Sequence, residues 1–188
     1  MHKKIINDIV VSKGYYSKFQ LSKKELNQIL NIIKNNFLEN LLRNDTKGYH
    51  LLKKIDLKNY HKYSKFIDHS LLMQKQNRLL KPTNVLKIKK MFFFKKLRKI
   101  FFNFKIMNFE NLFKEEIDWR IVRPNNNKDV THLHRDEWFW SLNKKKIKKN
   151  CTRIKCWIPI ICEKGRNGLK FAPKSHLFDL SVDSKNKR

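Results

Sequence analysis

The chain has 188 residues, 40% of them hydrophobic and 12% aromatic, enough for one domain with an apolar core and short for two. Lys and Arg number 44 against 16 Asp and Glu, a net charge of +28, and no run approaches the ~20 apolar residues that a membrane span needs. Four Gly and four Pro are few for an all-β protein built on tight turns, so a helix-rich part joined to a smaller β part is expected.

The opening stretch, MHKKIINDIVVSKGYY, has too short an apolar segment for a secretory signal. Residues 5–11 (IINDIVV) suggest a short strand, followed by a turn at Gly14. The next signal is stronger. Ser22-Lys23-Lys24-Glu25 matches a capping box, in which the Ser side chain and the Glu three residues on satisfy exposed amides reciprocally. Leu26, Ile29, Leu30, Ile33, Phe37 and Leu41 then recur at helical spacing, and the helix is expected to end near Asn44–Gly48. Residues 66–79 have helical tendency, with a break at Pro82.

From Val85 to Met107 basic and aromatic residues alternate in clusters (KIKKMFFFKKLRKIFFNFKIM). Phe93, Leu97, Ile100, Phe101 and Phe104 fall on one helical face. Packing of that face on a sheet, with a solvated basic face outside, is favoured; a helix lying on an anionic membrane stays open. The +28 charge itself is spread along the chain and rich in Lys, alongside many Asn, Ile and Phe. Biased composition therefore explains it better than a specific nucleic-acid site, since no recognition motif accompanies it.

After Ile117 the pattern changes. Residues 118–124 (DWRIVRP), 130–134, 152–161 (TRIKCWIPII) and 168–172 (GLKFA) read as strands, and Pro173-Lys174-Ser175 reads as a turn. Cys151, Cys156 and Cys162 are odd in number and lack metal-finger spacing, which suggests buried reduced thiols and a cytoplasmic protein.

Chemistry concentrates in Thr131-His132-Leu133-His134-Arg135-Asp136-Glu137. On an extended segment residues two apart point the same way, so His134 and Asp136 can offer an imidazole nitrogen and a carboxylate to one metal ion. Two His and one carboxylate on one face of an octahedron suit Fe(II) and leave open positions for a 2-oxo acid and O2. His132 is expected to face away from the metal or to donate a supporting hydrogen bond, and Glu137 to be a surface charge. Trp138 and Trp140 are candidate pocket walls. Arg120 and Arg123 would point to opposite faces of a strand, so at most one, with Arg123 the candidate, lines the pocket; surface pairing is the commoner role.

The segments RIVRPNN (120–126), HLHRDEWFW (132–140), CWIPI (156–160) and NGLKFAPKSH (167–176) together resemble the phytanoyl-CoA dioxygenase-like family of Fe(II)/2-oxoglutarate oxygenases. Lys174 stands where that family usually has Gly. The resemblance implies an α+β fold: a mainly helical part (1–117) packed in a single domain on an incomplete double-stranded β-helix of the jelly-roll or cupin kind (118–183), with a polar tail (184–188). It implies His134 and Asp136 as the first two iron ligands, Fe(II) as cofactor, 2-oxoglutarate as co-substrate and hydroxylation of a small organic substrate. The family's third His ligand and its 2-oxoglutarate-binding Arg lie beyond the Pro-x-Ser-His segment and have no counterpart before Arg188. The expectation is thus a truncated member, either inactive or completed by a second chain. His176 is a candidate third ligand, although its family counterpart is a turn residue. The alternatives are a non-catalytic fragment and a basic protein binding nucleic acid or a membrane surface.

Overall fold

A computed structural model describes residues 2–102, 104–108, 114–138, 152–163 and 168–178. Its longest element is helix α2, Lys23–Asn44, and the local sequence accounts for both ends. Ser22 Oγ accepts from the Glu25 amide at 3.2 Å while Glu25 accepts from the Ser22 amide at 3.0 Å, the expected capping box. The chain stops being helical at Asp45, whose carboxylate then accepts from the Gly48 amide at 2.8 Å and starts helix α3, Thr46–Leu52.

Around α2 stand short helices: α1 (His2–Asn7), α4 (Tyr60–Tyr63), α5 (His69–Leu72), α6 (Lys75–Arg78), α7 (Pro82–Lys89) and α8 (Phe92–Ile100). Pro82 occupies the first turn of α7 and so begins a helix rather than breaking one, since its missing amide is not needed there. Helix α8 is anchored from a distance. The Phe93 amide donates at 2.7 Å to the same Glu25 carboxylate that closes the capping box. Burial would raise the Glu25 pKa, but the Phe93 amide and the Ser22 donors outweigh it and hold the carboxyl below its ordinary range.

The core consists of Phe37, Leu41, Tyr60, Leu72, Val85, Phe93, Phe94 and their neighbours, with Trp119 entering from outside the helices. Phe37 meets Tyr60 and Trp119 edge-to-face, with ring centroids 5.6 and 6.0 Å apart. Two buried amides on the same face of α2 complete it. Asn36 accepts from Trp119 Nε1 at 2.7 Å and donates to the Leu79 carbonyl at 3.3 Å, and Asn40 donates to the Asn77 carbonyl. Buried amides are costly unless bonded, so these contacts fix where residues 77–79 and 119 cross α2.

The expected β-helix is overturned. Among the described residues there is no strand, only an isolated antiparallel bridge between Leu79 and Asp118, closed by Leu80 N to Ile117 O at 2.9 Å and Trp119 N to Arg78 O at 3.2 Å. The stretches 120–124, 130–134, 152–161 and 168–172 carry the β-forming residues but no ladder. Propensity marks a segment as able to pair, and a strand forms only where another backbone takes up its amides and carbonyls. Residues 5–11 are not a strand either. They form α1 and a π-helical turn, Asp8–Ser12, closed by the Lys13 and Gly14 amides donating to the Asp8 carbonyl. Gly14 turns the chain at φ 84°, a conformation that suits Gly. Helix α8 therefore packs against α7 and α1 instead of a sheet. Among the described residues, no helix is long and apolar enough to cross a membrane.

Candidate metal centre

Trp119 is the last large apolar residue in the core, and the segment that leaves it carries the candidate site. Two consecutive contacts steer this segment. Arg78 holds the Asp118 carboxylate at 2.9 Å and the Trp119 carbonyl at 3.3 Å. Beyond it, a charged clasp forms around Asp129, whose side chain is buried. Arg123 grips the Asp129 carboxylate with Nε at 2.8 Å, Nη2 at 2.7 Å and its own amide at 2.9 Å, while Arg120 Nη2 donates to the Asp129 carbonyl at 2.6 Å. His69 Nε2 lies 3.4 Å from Asp129 Oδ2, and His69 Nδ1 lies 2.8 Å from Tyr60 Oη. Both contacts are satisfied if the Tyr60 hydroxyl donates to Nδ1 and the ring carries its proton on Nε2.

Arg123 is the main reason that the Asp129 carboxyl is pulled down to about 2 despite burial. Burial pushes His69 below its ordinary range, helped by Arg123 and Arg120 and opposed by Asp129. Burial also raises the Tyr60 hydroxyl well above its usual value. The clasp thus keeps a neutral His against an ion pair. Arg123, expected at a pocket wall, belongs to this clasp instead. Arg120 and Arg123 both reach Asp129, because the backbone turns through Asn126 and the Asn127–Asp129 3-10 turn instead of running as a strand. Asp129, His69 and Tyr60 were not legible as a group: they come from three distant stretches and carry no spacing motif.

Beyond the clasp, His134 and Asp136 come together without an extended strand, since residues 136–138 are helical. His134 Nδ1 lies 2.7 Å from the His132 carbonyl, which accepts a hydrogen bond if that nitrogen carries the proton. His134 Nε2 then faces Asp136 Oδ1 at 3.5 Å, as an N–H donor if the ring is protonated and as a lone pair if it is neutral. A neutral imidazole lone pair and a carboxylate repel unless a cation sits with them. In this structure the cation is the Lys155 ammonium, 3.1 Å from both Asp136 oxygens. His132 thus acts through its carbonyl, and its own ring is exposed. Glu137 is an exposed charge paired with Arg135 at 2.9 Å.

His176 lies next to a cavity of about 210 Å3 whose lining includes His134, His176, Tyr15, Trp138, Lys170 and Phe171. Both ring nitrogens of His176 are buried and have no hydrogen-bond partner among the described residues. Gly14 makes room for that ring, since a Cβ at residue 14 would stand 2.5 Å from His176 Nδ1. Tyr15 stacks on Phe171 at 5.5 Å to form one wall. Trp138 also lines this cavity; Trp140 and Cys151 lie outside the described residues. Cys156 and Cys162 are exposed, not buried.

His134 and Asp136 fit two adjacent positions of a metal coordination sphere, with the nitrogen and oxygen donors that Fe(II) accepts. A complete centre is not assembled. Among the described residues no three His, Cys, Asp or Glu side chains are grouped to hold an ion, and Asp136 is not part of the cavity lining shared by His134 and His176. No family model, curated protein or solved structure matches the chain.

Proposed function

We propose that His134 and Asp136 are two donors of an Fe(II) site of the 2-oxoglutarate oxygenase type, acting on a small organic substrate once a third donor joins them. The carrying observation is the 3.5 Å approach of His134 Nε2 to Asp136 Oδ1, with Nδ1 turned to the His132 carbonyl. That carbonyl sets the tautomer in which Nε2, facing Asp136, would be the ligating nitrogen. His176, both of whose nitrogens lack a hydrogen-bond partner among the described residues and which lines a cavity with His134, or a residue of a second chain would supply the third donor. Lys170 and Arg135 line that cavity and offer cationic partners for a dicarboxylate co-substrate. When bound, the metal would supply O2 activation coupled to oxidative decarboxylation of 2-oxoglutarate and hydroxylation. The chain's own residues would hold the ion and orient the co-substrate, with Tyr15, Trp138 and Phe171 supplying the apolar part of the cavity lining.

Anaerobic titration with Fe(II), with and without 2-oxoglutarate, tests this reading. The expected result is a visible charge-transfer band that needs both components and disappears in His134→Ala and in Asp136→Ala. Fe(II) binding that survives both substitutions would overturn the assignment. Binding of Fe(II) with no band in the presence of 2-oxoglutarate would favour a non-catalytic metal-binding module instead.

A further inference from the structure

Helix α8 carries two different faces. The inner one buries Phe93, Phe94 and Ile100 with Leu97 packed beside them. The outer one carries Phe92, Lys95, Lys96 and Lys99, which share a helical face at spacings of three and four, and Phe102 lies just past the last turn. Phe92 is 63% exposed and Phe102 92% exposed. Lys96 Nζ lies 4.6 Å from the Phe92 ring centroid, so cation and aromatic form one surface.

The electrostatics of this region are one-sided. Between Val85 and Asn108 there are eight Lys and Arg residues and no Asp or Glu. Lys89 is paired with Glu115, while Lys95 and Lys99 form no ion pair among the described residues. The exposed positions of α8 are Phe92, Lys95, Lys96, Arg98 and Lys99. Cations alone can meet phosphates or guanine edges of a nucleic acid, so it is the pair of exposed rings beside them that favours a lipid surface. What the face offers is positive charge to attract phosphates and two apolar rings that gain by leaving water. An anionic lipid surface takes both at once: headgroups meet the ammonium groups and the rings enter the acyl boundary.

We propose that the outer face of α8, with Phe92 and Phe102 flanking Lys95, Lys96 and Lys99, binds the surface of an anionic lipid bilayer. This site is separate from the metal centre and does not depend on it.

Sedimentation of the full chain with vesicles of phosphatidylcholine alone or mixed with phosphatidylserine tests the proposal. The chain should bind the mixed vesicles and not the neutral ones. Phe92→Ser with Phe102→Ser keeps the charge and should weaken binding at least about tenfold, the loss expected when two partly inserted rings are removed. Lys95→Gln, Lys96→Gln and Lys99→Gln together should weaken it about a hundredfold at low salt. The same charge removed elsewhere, by Lys47→Gln, Lys58→Gln and Lys62→Gln, should weaken it much less. Phe92→Trp should show a blue shift of indole emission on adding mixed vesicles. All these positions are exposed, and circular dichroism checks that the helices persist. Unchanged vesicle binding in the double Ser variant would overturn the proposal, since adhesion would then follow from overall charge. Equal losses in the two triple variants would overturn it too, as would preferential capture by a polynucleotide added in competition with the vesicles.

Discussion

Phe37 and Asp129 are both buried, but they hold their regions in different ways. Phe37 sits in a core where Leu41, Tyr60 and Trp119 exclude water, and the buried amides of Asn36 and Asn40 set which segments cross it. Past Trp119 the balance reverses. Val122, Val130, Leu133, Ile154, Trp157, Leu169, Phe171 and Phe178 are exposed, and Asp129 is the one buried residue among those described. Area removed from water stabilises the helical body, whereas an ion pair ties down the segment that carries His134. The lesson concerns function as well as stability. If His134 and Asp136 do hold a metal ion, as proposed, their position rests on charge contacts and not on a packed core.

The comparison breaks most visibly at Phe37. Phe37→Ala should cost about 4 kcal/mol, the loss expected for an aromatic ring deleted from a packed core, and chemical denaturation should show it as a lower midpoint. A variant that loses less than about 1 kcal/mol would mean that the body is not organised around this ring.

Next in size is the clasp. Asp129→Asn leaves Arg123 without its carboxylate and should cost about 3 kcal/mol, because a mostly buried charge loses its partner. Hydrogen exchange should rise across residues 120–138 and change little in α2. The same group predicts acid sensitivity. Asp129 and His69 both hold protons less readily in the folded chain than in the unfolded one, so protonation favours unfolding and stability falls as pH falls. For His69 the loss begins below the ordinary histidine pKa of about 6.5. For Asp129 it begins near 3.8 and is complete near about 2, amounting to about 2 kcal/mol. His69→Gln should remove the upper window and keep the lower one; a pH profile identical to wild type would contradict the buried neutral ring.

What could be read from sequence, and what could not, follows the same division. The capping box and the apolar spacing from Leu26 to Leu41 involve residues within a turn or two of each other, and α2 forms where they place it. In the Phe-rich helix Phe93, Leu97 and Ile100 were legible as an inner face, but Phe101 and Phe104 lie past its end at Ile100, and its start was not legible because α8 depends on Glu25 of α2. The β-forming stretches misled for the same reason: TRIKCWIPII states a local preference, and the partner backbone is a non-local fact. Of the candidate site, His134 and Asp136 stood out as a motif, while the Lys155 contact to Asp136 and the Asp129 clasp in the preceding segment are ones that no spacing encodes.

The smallest stability effect sharpens the comparison at the site itself. Lys155 is largely exposed, so removing it should change stability by less than about 0.5 kcal/mol. Its ammonium nevertheless stands beside both Asp136 oxygens, where it competes with a metal ion for the same negative charge. Lys155→Ala should therefore tighten Fe(II) binding by roughly two- to fivefold, the equivalent of one exposed ion pair. The gain should shrink as salt is raised, since exposed charges are screened. Weaker Fe(II) binding in this variant would instead mean that Lys155 holds Asp136 in its ligating position. The half-site would then depend on the ammonium as the segment before it depends on Arg123, through a charge contact in place of a core.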